Sequence, residues 1–337
     1  MDPKDIFDLL KETFSRFNED KAARLGASLA YYTIFSIAPL LVIAIAIAGF
    51  VFGEKAAQGE VIGTIQGVVG QQAGQAIQTM VESASQPRAG GILITLLGVA
   101  TLLLGASGVF GALQDSLNTI WGVQTKPGGG IKGIVKERFF SFTLVIGTGF
   151  LLLVSLVVTA GLAAVGKWFS DYIPGGTGAW EALNFVFSLA VITILFMLIF
   201  KYVPDAQIAW RDLFIGAFVT ALLFTIGKFA IGLYLGRSSV TSAYGAAGSL
   251  ILVLLWIYYS AQILFLGAEL TQVVADRYGT PIVPKPSAVA LTEATRARQG
   301  VPRKEDVAEA ERTGRSVEDV AHGHDGERGS QKPLPAK

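Results

Sequence analysis

Lys228 is the one charged residue inside six apolar runs that otherwise carry none. An ammonium group near the middle of a bilayer costs roughly 2.5–3.5 kcal/mol on insertion scales. Such a group is retained where it meets a wet cavity, a carboxylate or an anionic ligand, or where it reaches outer water through a local defect. Its side chain tilts toward the start of its helix, so snorkelling to the nearer outer surface is awkward. Two polar stripes accompany it. Ser107, Gly111, Gln114, Asp115 and Asn118 recur at spacings of three and four, as do Tyr259, Gln262, Leu266 and Glu269, with Trp256 beside them. That spacing puts each set on one helix face. With Arg138, Lys201 and Arg211 as bases at the same level, the stripes predict a polar vestibule that holds Asp115, Asn118, Arg138 and Glu269. The alternative is a set of span-end caps and ion pairs that fix the bundle. Pro39, in Ser36-Ile-Ala-Pro39, cannot donate to the carbonyl of Phe35, which predicts a kink. The kink either lines a cavity or is a bend satisfied by Ser36 or a neighbouring helix.

The elements that must position these residues are the apolar runs themselves, at about 32–53, 91–111, 139–165, 183–200, 213–235 and 248–268. Each has the roughly 17–25 residues a helix needs to cross a hydrocarbon core. The fold class expected is all-α: a polytopic bundle of six transmembrane helices over residues 25–279. Lys and Arg alternate from loop to loop, with five before the first run and eleven after the last. The positive-inside rule then puts both termini in the cytoplasm. Residues 1–24 read as an amphipathic helix, with Ile6, Phe7, Leu10, Phe14 and Phe17 on one side. It lies either in the headgroup plane or against the ends of the spans. Residues 54–90 read as an outer loop of one or two short helices, with Gly59, Gly63 and Gly67 spaced by four and Gly70 and Gly74 likewise. That spacing suits close helix packing within the chain or between two copies. Pro204 ends the fourth run, and Asp205 is placed to cap the next helix. After residue 279 the composition turns to Pro, Gly, Ala, Glu and Arg, which predicts a disordered cytoplasmic tail over 280–337. The tetrapeptide Glu305-Asp-Val-Ala308 recurs there at Glu318-Asp-Val-Ala321.

Composition excludes several chemistries. The chain has 337 residues, 52% hydrophobic and 16% charged, with a net charge of +1 and no Cys. A soluble domain carries about 25% charged residues. Without Cys there is no disulfide, thiol nucleophile or thiolate metal site. The two histidines, His322 and His324, lie in the tail, and His322-Gly-His-Asp325 is too short to make a metal site. No phosphate-binding loop, zinc-protease or nucleophile-elbow pattern occurs. No cofactor is expected, and no surface is expected to bind nucleic acid.

The stretches Leu29-Ala-Tyr-Tyr-Thr-Ile-Phe-Ser-Ile-Ala-Pro39, Gly111-Ala-Leu-Gln-Asp-Ser-Leu-Asn-Thr-Ile-Trp121 and Tyr244-Gly-Ala-Ala-Gly-Ser249 resemble the YihY/BrkB family of bacterial inner-membrane proteins. So does the run from Leu255-Trp-Ile-Tyr-Tyr259 to Leu266-Gly-Ala-Glu-Leu270. The resemblance covers roughly residues 20–280. It implies a six-helix protein of the bacterial cytoplasmic membrane. Members have carried the labels ribonuclease BN and virulence factor BrkB, and some have been linked to export of lipids or lipopolysaccharide precursors. The family brings no established catalytic residues. RNA hydrolysis needs a general acid and base or metals, and residues 1–279 offer no His or Cys and few acids away from span ends.

These readings lead to an expected non-enzymatic function: a transporter or flippase-like protein for an amphipathic or anionic, lipid-like molecule. The route would pass Lys228 and the two stripes by ion coupling, by exchange or passively. The alternative is a non-transporting scaffold that organises the envelope. The partners expected are the lipid bilayer, an anionic lipid or amphipathic substrate, and a second copy of the chain.

Overall fold

The computed structural model describes residues 3–85, 91–126, 177–237 and 246–330. The expected third span and Arg138 lie outside these residues. Helix α1 (Pro3–Glu19) turns at Asp20 and Lys21 into α2 (Ala22–Phe52). Lys21 makes that turn in the left-handed region, at φ 51°. The 31 residues of α2 give a helix about 46 Å long. It begins ten residues before the expected run, because Ala22–Ala30 is built of small and apolar residues that extend it. Gly53 closes α2, and a helical hairpin follows: α3 (Glu54–Val69), a turn at Gly70, then α4 (Gln71–Ser85). Both glycines have positive φ, 82° and 87°, which a side chain would strain. After α5 (Gly91–Ile120) come β1 (Val123–Thr125), α6 (Thr177–Tyr202), β2 (Ala206–Gln207), α7 (Trp210–Arg237) and α8 (Ala246–Tyr278).

Four of the described helices are long and apolar enough to cross a membrane: α2 over Ala22–Ala46, α6 over Phe185–Tyr202, α7 over Trp210–Ala230 and α8 over Gly248–Tyr278. Their outward faces keep the apolar character that lipid requires, with Phe35, Phe214, Phe218, Ile226 and Phe229 all exposed. The α3–α4 hairpin folds back on the bundle. Ala57, Ala73, Ile77 and Val81 pack with Ile45 of α2 and with Leu252, Val253 and Trp256 of α8. Gln66 sits on Gly74 across the hairpin, so that glycine serves packing within the chain.

Helices α7 and α8 approach closely. A Cβ at Gly216 would lie 1.8 Å from the Thr271 hydroxyl, and one at Gly267 would lie 1.7 Å from the Thr220 hydroxyl. Each threonine turns its hydroxyl back onto the glycine of its own helix: Thr220 donates to the Gly216 carbonyl at 2.6 Å and Thr271 to the Gly267 carbonyl at 2.8 Å. The two Gly-x-x-x-Thr steps therefore interlock reciprocally, the small-residue packing that brings membrane helices together. Further along, Tyr259 of α8 covers Gly227 of α7. Partners on α7 rise in number as those on α8 fall, so the pair is antiparallel.

The expected disordered tail is corrected by the structure. Residues 283–330 form β3 (Val283–Pro284), β4 (Ala288–Ala290), α9 (Glu293–Arg298), α10 (Lys304–Thr313) and α11 (Val317–Ser330). The strands pair antiparallel with segments that leave the bundle, β1 with β4 and β2 with β3. The all-α class is thus modified by two small sheets. Ala288, Leu291, Ala294, Val301, Ala310, Val320 and Ala321 are buried. The apolar residues are mostly Ala and Val and sparse in the sequence, so composition reads as disorder, although together they bury a core. The repeated Glu-Asp-Val-Ala opens α10 in one copy and lies in the first turn of α11 in the other.

Replacing Gly267 by Val forces a side chain into the Thr220 hydroxyl. The expected outcome is a loss of at least about 1–3 kcal/mol, read as a lower thermal midpoint and a smaller monodisperse fraction in detergent. The control Gly63→Ala, at a helix-interior glycine with no neighbour within 4 Å among the described residues, should lower neither, because alanine favours the helix more than glycine does.

Candidate functional site

Lys228 lies on α7, half-buried. It continues the buried stripe of Leu213, Ala217, Ala221 and Phe224 and directly follows Gly227, the residue that Tyr259 covers. Phe224, one turn earlier, stacks edge-on with Phe196 of α6 and with Trp256 of α8, at centroid distances of 5.8 and 6.0 Å. Lys228 therefore lies one turn beyond an aromatic layer at which α7 meets α6 and α8. It makes no ion pair among the described residues. Tyr259, one turn from Trp256 on α8, brings a hydroxyl to the same level. This is a cation and a phenol in an apolar wall, a pairing suited to an anionic headgroup.

The α5 stripe resolves into a buried carboxylate knot that the sequence reading missed. Asp205, after α6, accepts from Gln114 Nε2 at 3.2 Å, Asn118 Nδ2 at 3.1 Å and Thr125 Oγ1 at 3.0 Å. Its own amide donates to Asn118 Oδ1 at 2.8 Å. Asp205 was expected to cap α7; instead it joins α5, β1 and the α6–α7 connection. Lys285 completes the knot by donating Nζ to the Pro204 carbonyl at 2.6 Å and its amide to the Asp205 carbonyl at 2.8 Å. Burial lowers the Lys285 ammonium pKa and Lys201 lowers it further, while Asp205 opposes both. Lys201 donates to the Ile208 carbonyl at 2.5 Å and lies 5.5 Å from the centre of the Trp210 ring.

Asp115 and Glu269, expected in one vestibule, part company. Asp115 is exposed in a cleft of about 430 Å³ together with Arg24, Asn118, Gln124, Thr125 and Gln299. Arg24 donates from Nη2 to the Gln299 carbonyl at 3.2 Å, so the C-terminal segment forms one wall. Glu269 is fully buried on α8, where its neighbours are Asp20 of the α1–α2 turn, Arg16 and Arg296. Arg296 of α9 is hydrogen-bonded to Asp20, and both side chains are buried. Gln262 shares the Glu269 face and packs on Gly26 of α2. Tyr259 faces α7, so the α8 stripe serves two different contacts. Pro39 lies within an unbroken α2 and packs toward Gly105 of α5. Beside it Ser36 donates to the Gly105 carbonyl at 2.5 Å, not to the carbonyl that Pro39 leaves free.

Of the two arrangements left open by its sequence, helix α1 shows packing against the ends of the spans. Leu9 and Thr13 are buried, Leu9 against Leu270, Val273 and Val274, while Ile6, Phe7, Leu10 and Phe14 stay exposed. Arg16 pairs with Asp276 at 2.5 Å and with Glu12 at 2.7 Å, and Arg277 bonds Glu12 at 2.7 Å. Partial burial raises the Glu12 carboxyl, but the bonds from Arg277 and Arg16 outweigh it and hold the group below its ordinary range. In the C-terminal segment His324 bridges Asp306 at 2.7 Å and Glu309 at 3.2 Å, and Asp325 accepts from the amides of Glu293 and Ala294. His324 and Asp325 are structural ties, and no cluster that could hold a metal occurs among the described residues.

The family described as Virulence factor BrkB matches residues 13–292. The chain belongs to that family. The resemblance read from the first span and from the Trp256–Glu269 stretch is thereby borne out. Relatives in the BrkB family include a ribonuclease-like protein, YfkH, of Bacillus subtilis (strain 168), 24% identical over 81% of this chain and 97% of that one. A UPF0761 membrane protein of Mannheimia succiniciproducens is 29% identical over 78% of this chain and 88% of its own length. Another, of Ralstonia nicotianae, is 27% identical over 78% of this chain, which spans only 57% of that relative. No solved structure matches the chain. This is a membrane protein of the BrkB family with several apolar helices.

Asp205→Ala removes the acceptor for three side-chain donors and leaves Asn118 buried without it. A loss of roughly 1–3 kcal/mol is expected, measured as thermal or denaturant unfolding in detergent. Asp205→Asn, which keeps one acceptor oxygen, should lose clearly less.

Proposed function

We propose that this protein moves an anionic, lipid-like molecule across the bacterial cytoplasmic membrane, with both termini in the cytoplasm. The observation that carries the reading is Lys228. A membrane-spanning helix holds a half-buried lysine directly after Gly227, the glycine that Tyr259 covers, and without an ion pair among the described residues. Its desolvation is costly, and an anionic headgroup between the helices would offset that cost. The cytoplasmic end supports the same reading. There the Asp205 knot, the Asp20–Arg296 pair and the C-terminal segment close the bundle, so passage requires this end to open. Dense basic residues in α1 and in the C-terminal segment agree with a cytoplasmic location for that end.

The test is headgroup-labelled phosphatidylglycerol scrambling, with chloride flux in parallel, in liposomes holding purified full-length protein. Wild type should accelerate lipid movement over empty vesicles. Lys228→Ala should lose tenfold or more at equal insertion, and Lys228→Arg should keep a measurable part. Absence of lipid and anion movement at proven insertion would sink the reading and favour a scaffold. In that case the folded C-terminal segment would be the surface to examine.

A further inference from the structure

Asp20 and Glu269 are both buried, at 5% and 0% exposure, where the α1–α2 turn meets α8: Gln262 packs on Gly26 on one side of them, and Leu9 on Leu270 and Arg16 on Asp276 on the other. Neither Glu269 oxygen has a hydrogen-bond donor among the described residues. Among the described residues, the other charged groups around the pair are committed elsewhere or shared. Arg296 binds Asp20 and lies 3.8 Å from Glu293. Arg303 reaches Glu293 at 2.7 Å. Arg16 is held by Glu12 and Asp276, and Lys304 by Glu19 at 3.2 Å. Two carboxyl groups in contact, out of water, have no bond to each other unless a hydrogen stands between them. Burial raises the Asp20 carboxyl against the pull of Arg296 and Arg303, with Glu19 adding to the rise.

We propose that Asp20 and Glu269 are a proton-binding site that shares one proton, and that this proton controls the cytoplasmic end of the bundle. With the proton bound, the α1–α2 turn stays bonded to α8 and Arg296 keeps the C-terminal segment seated over it. When the proton leaves for water, two carboxylates face each other and only Arg296 is bonded to the pair. Their repulsion separates the turn from α8 and frees this end to open. Resting on the transport reading, the site names the coupling ion as a proton. The two carboxyls titrate as a unit, so neither has a pH response of its own.

Infrared spectra of the full chain in nanodiscs test the site without requiring transport. Wild type at neutral pH should show the carbonyl band of a buried protonated carboxyl. The band should shift in D2O and bleach as pH rises. Glu269→Gln, a neutral isostere of the protonated acid, should fold normally and lose the band. Asp20→Asn should lose or shift it. Absence of the band in wild type, or its survival in both variants, overturns the proposal whether or not lipid moves. In liposomes an imposed pH gradient should speed wild-type phosphatidylglycerol movement several-fold and leave Glu269→Gln indifferent. Wild-type movement that ignores the gradient overturns the coupling. A band without lipid movement keeps the proton site and fails the transport reading instead.

Discussion

The reciprocal lock between α7 and α8 is the constraint on which the rest depends. Gly216 and Gly267 let two backbones approach until each receives the other helix's threonine. Lipid tails are as apolar as leucine, so association inside a bilayer depends on such close packing and on satisfied polar groups. Once that contact sets the register, Tyr259 must fall on Gly227, and Lys228 follows at the same level. In the other direction Glu269, two residues beyond Gly267, is carried to the α1–α2 turn. One contact therefore positions both the lysine on the apolar wall and the carboxyl pair at the end of the bundle where the α1–α2 turn meets α8.

The second constraint is that a carboxylate removed from water needs partners. Asp205 meets it with three side-chain donors from α5 and β1, and Asp20 meets it with Arg296 from a segment far along the chain. These bonds make the C-terminal segment part of the bundle. Short strands add to this by pairing β1 with β4 and β2 with β3. The surface pairs of Glu12 with Arg16 and Arg277 add less, since exposed ion pairs are worth about 0–1 kcal/mol each. They fix where α1 sits more than how firmly it holds. Glu269 departs from the pattern, and a buried acid without a donor is a place to look for a proton.

Much of the framework was legible in the chain. Apolar run length located α2, α5, α6, α7 and α8, since the thickness of a bilayer sets that length. Helical spacing found α1 and the α3–α4 hairpin. Gln114 and Asn118 were legible as polar residues on one helix face at the end of the second span. Their acceptor was not, because Asp205 follows Pro204 and reads as a cap. Grouping Asp115 with Glu269 failed because equal depth does not imply contact: the first faces a cleft and the second faces the α1–α2 turn. The C-terminal segment was misread because its buried residues are mostly Ala and Val, sparse among charges that turn out to be paired.

Sequence by itself determined that this is a membrane protein of several apolar helices, that its chemistry excludes thiols, and that Lys228 is out of place in lipid. Those are one-dimensional facts of residue type, run length and spacing. Tertiary structure decided which glycine receives which threonine, which carboxylate the Gln114 and Asn118 amides serve, and that Arg296 reaches back to Asp20. Such choices join residues from distant parts of the chain. They depend on which helix faces meet, and a period of 3.6 residues describes each helix but not its neighbour.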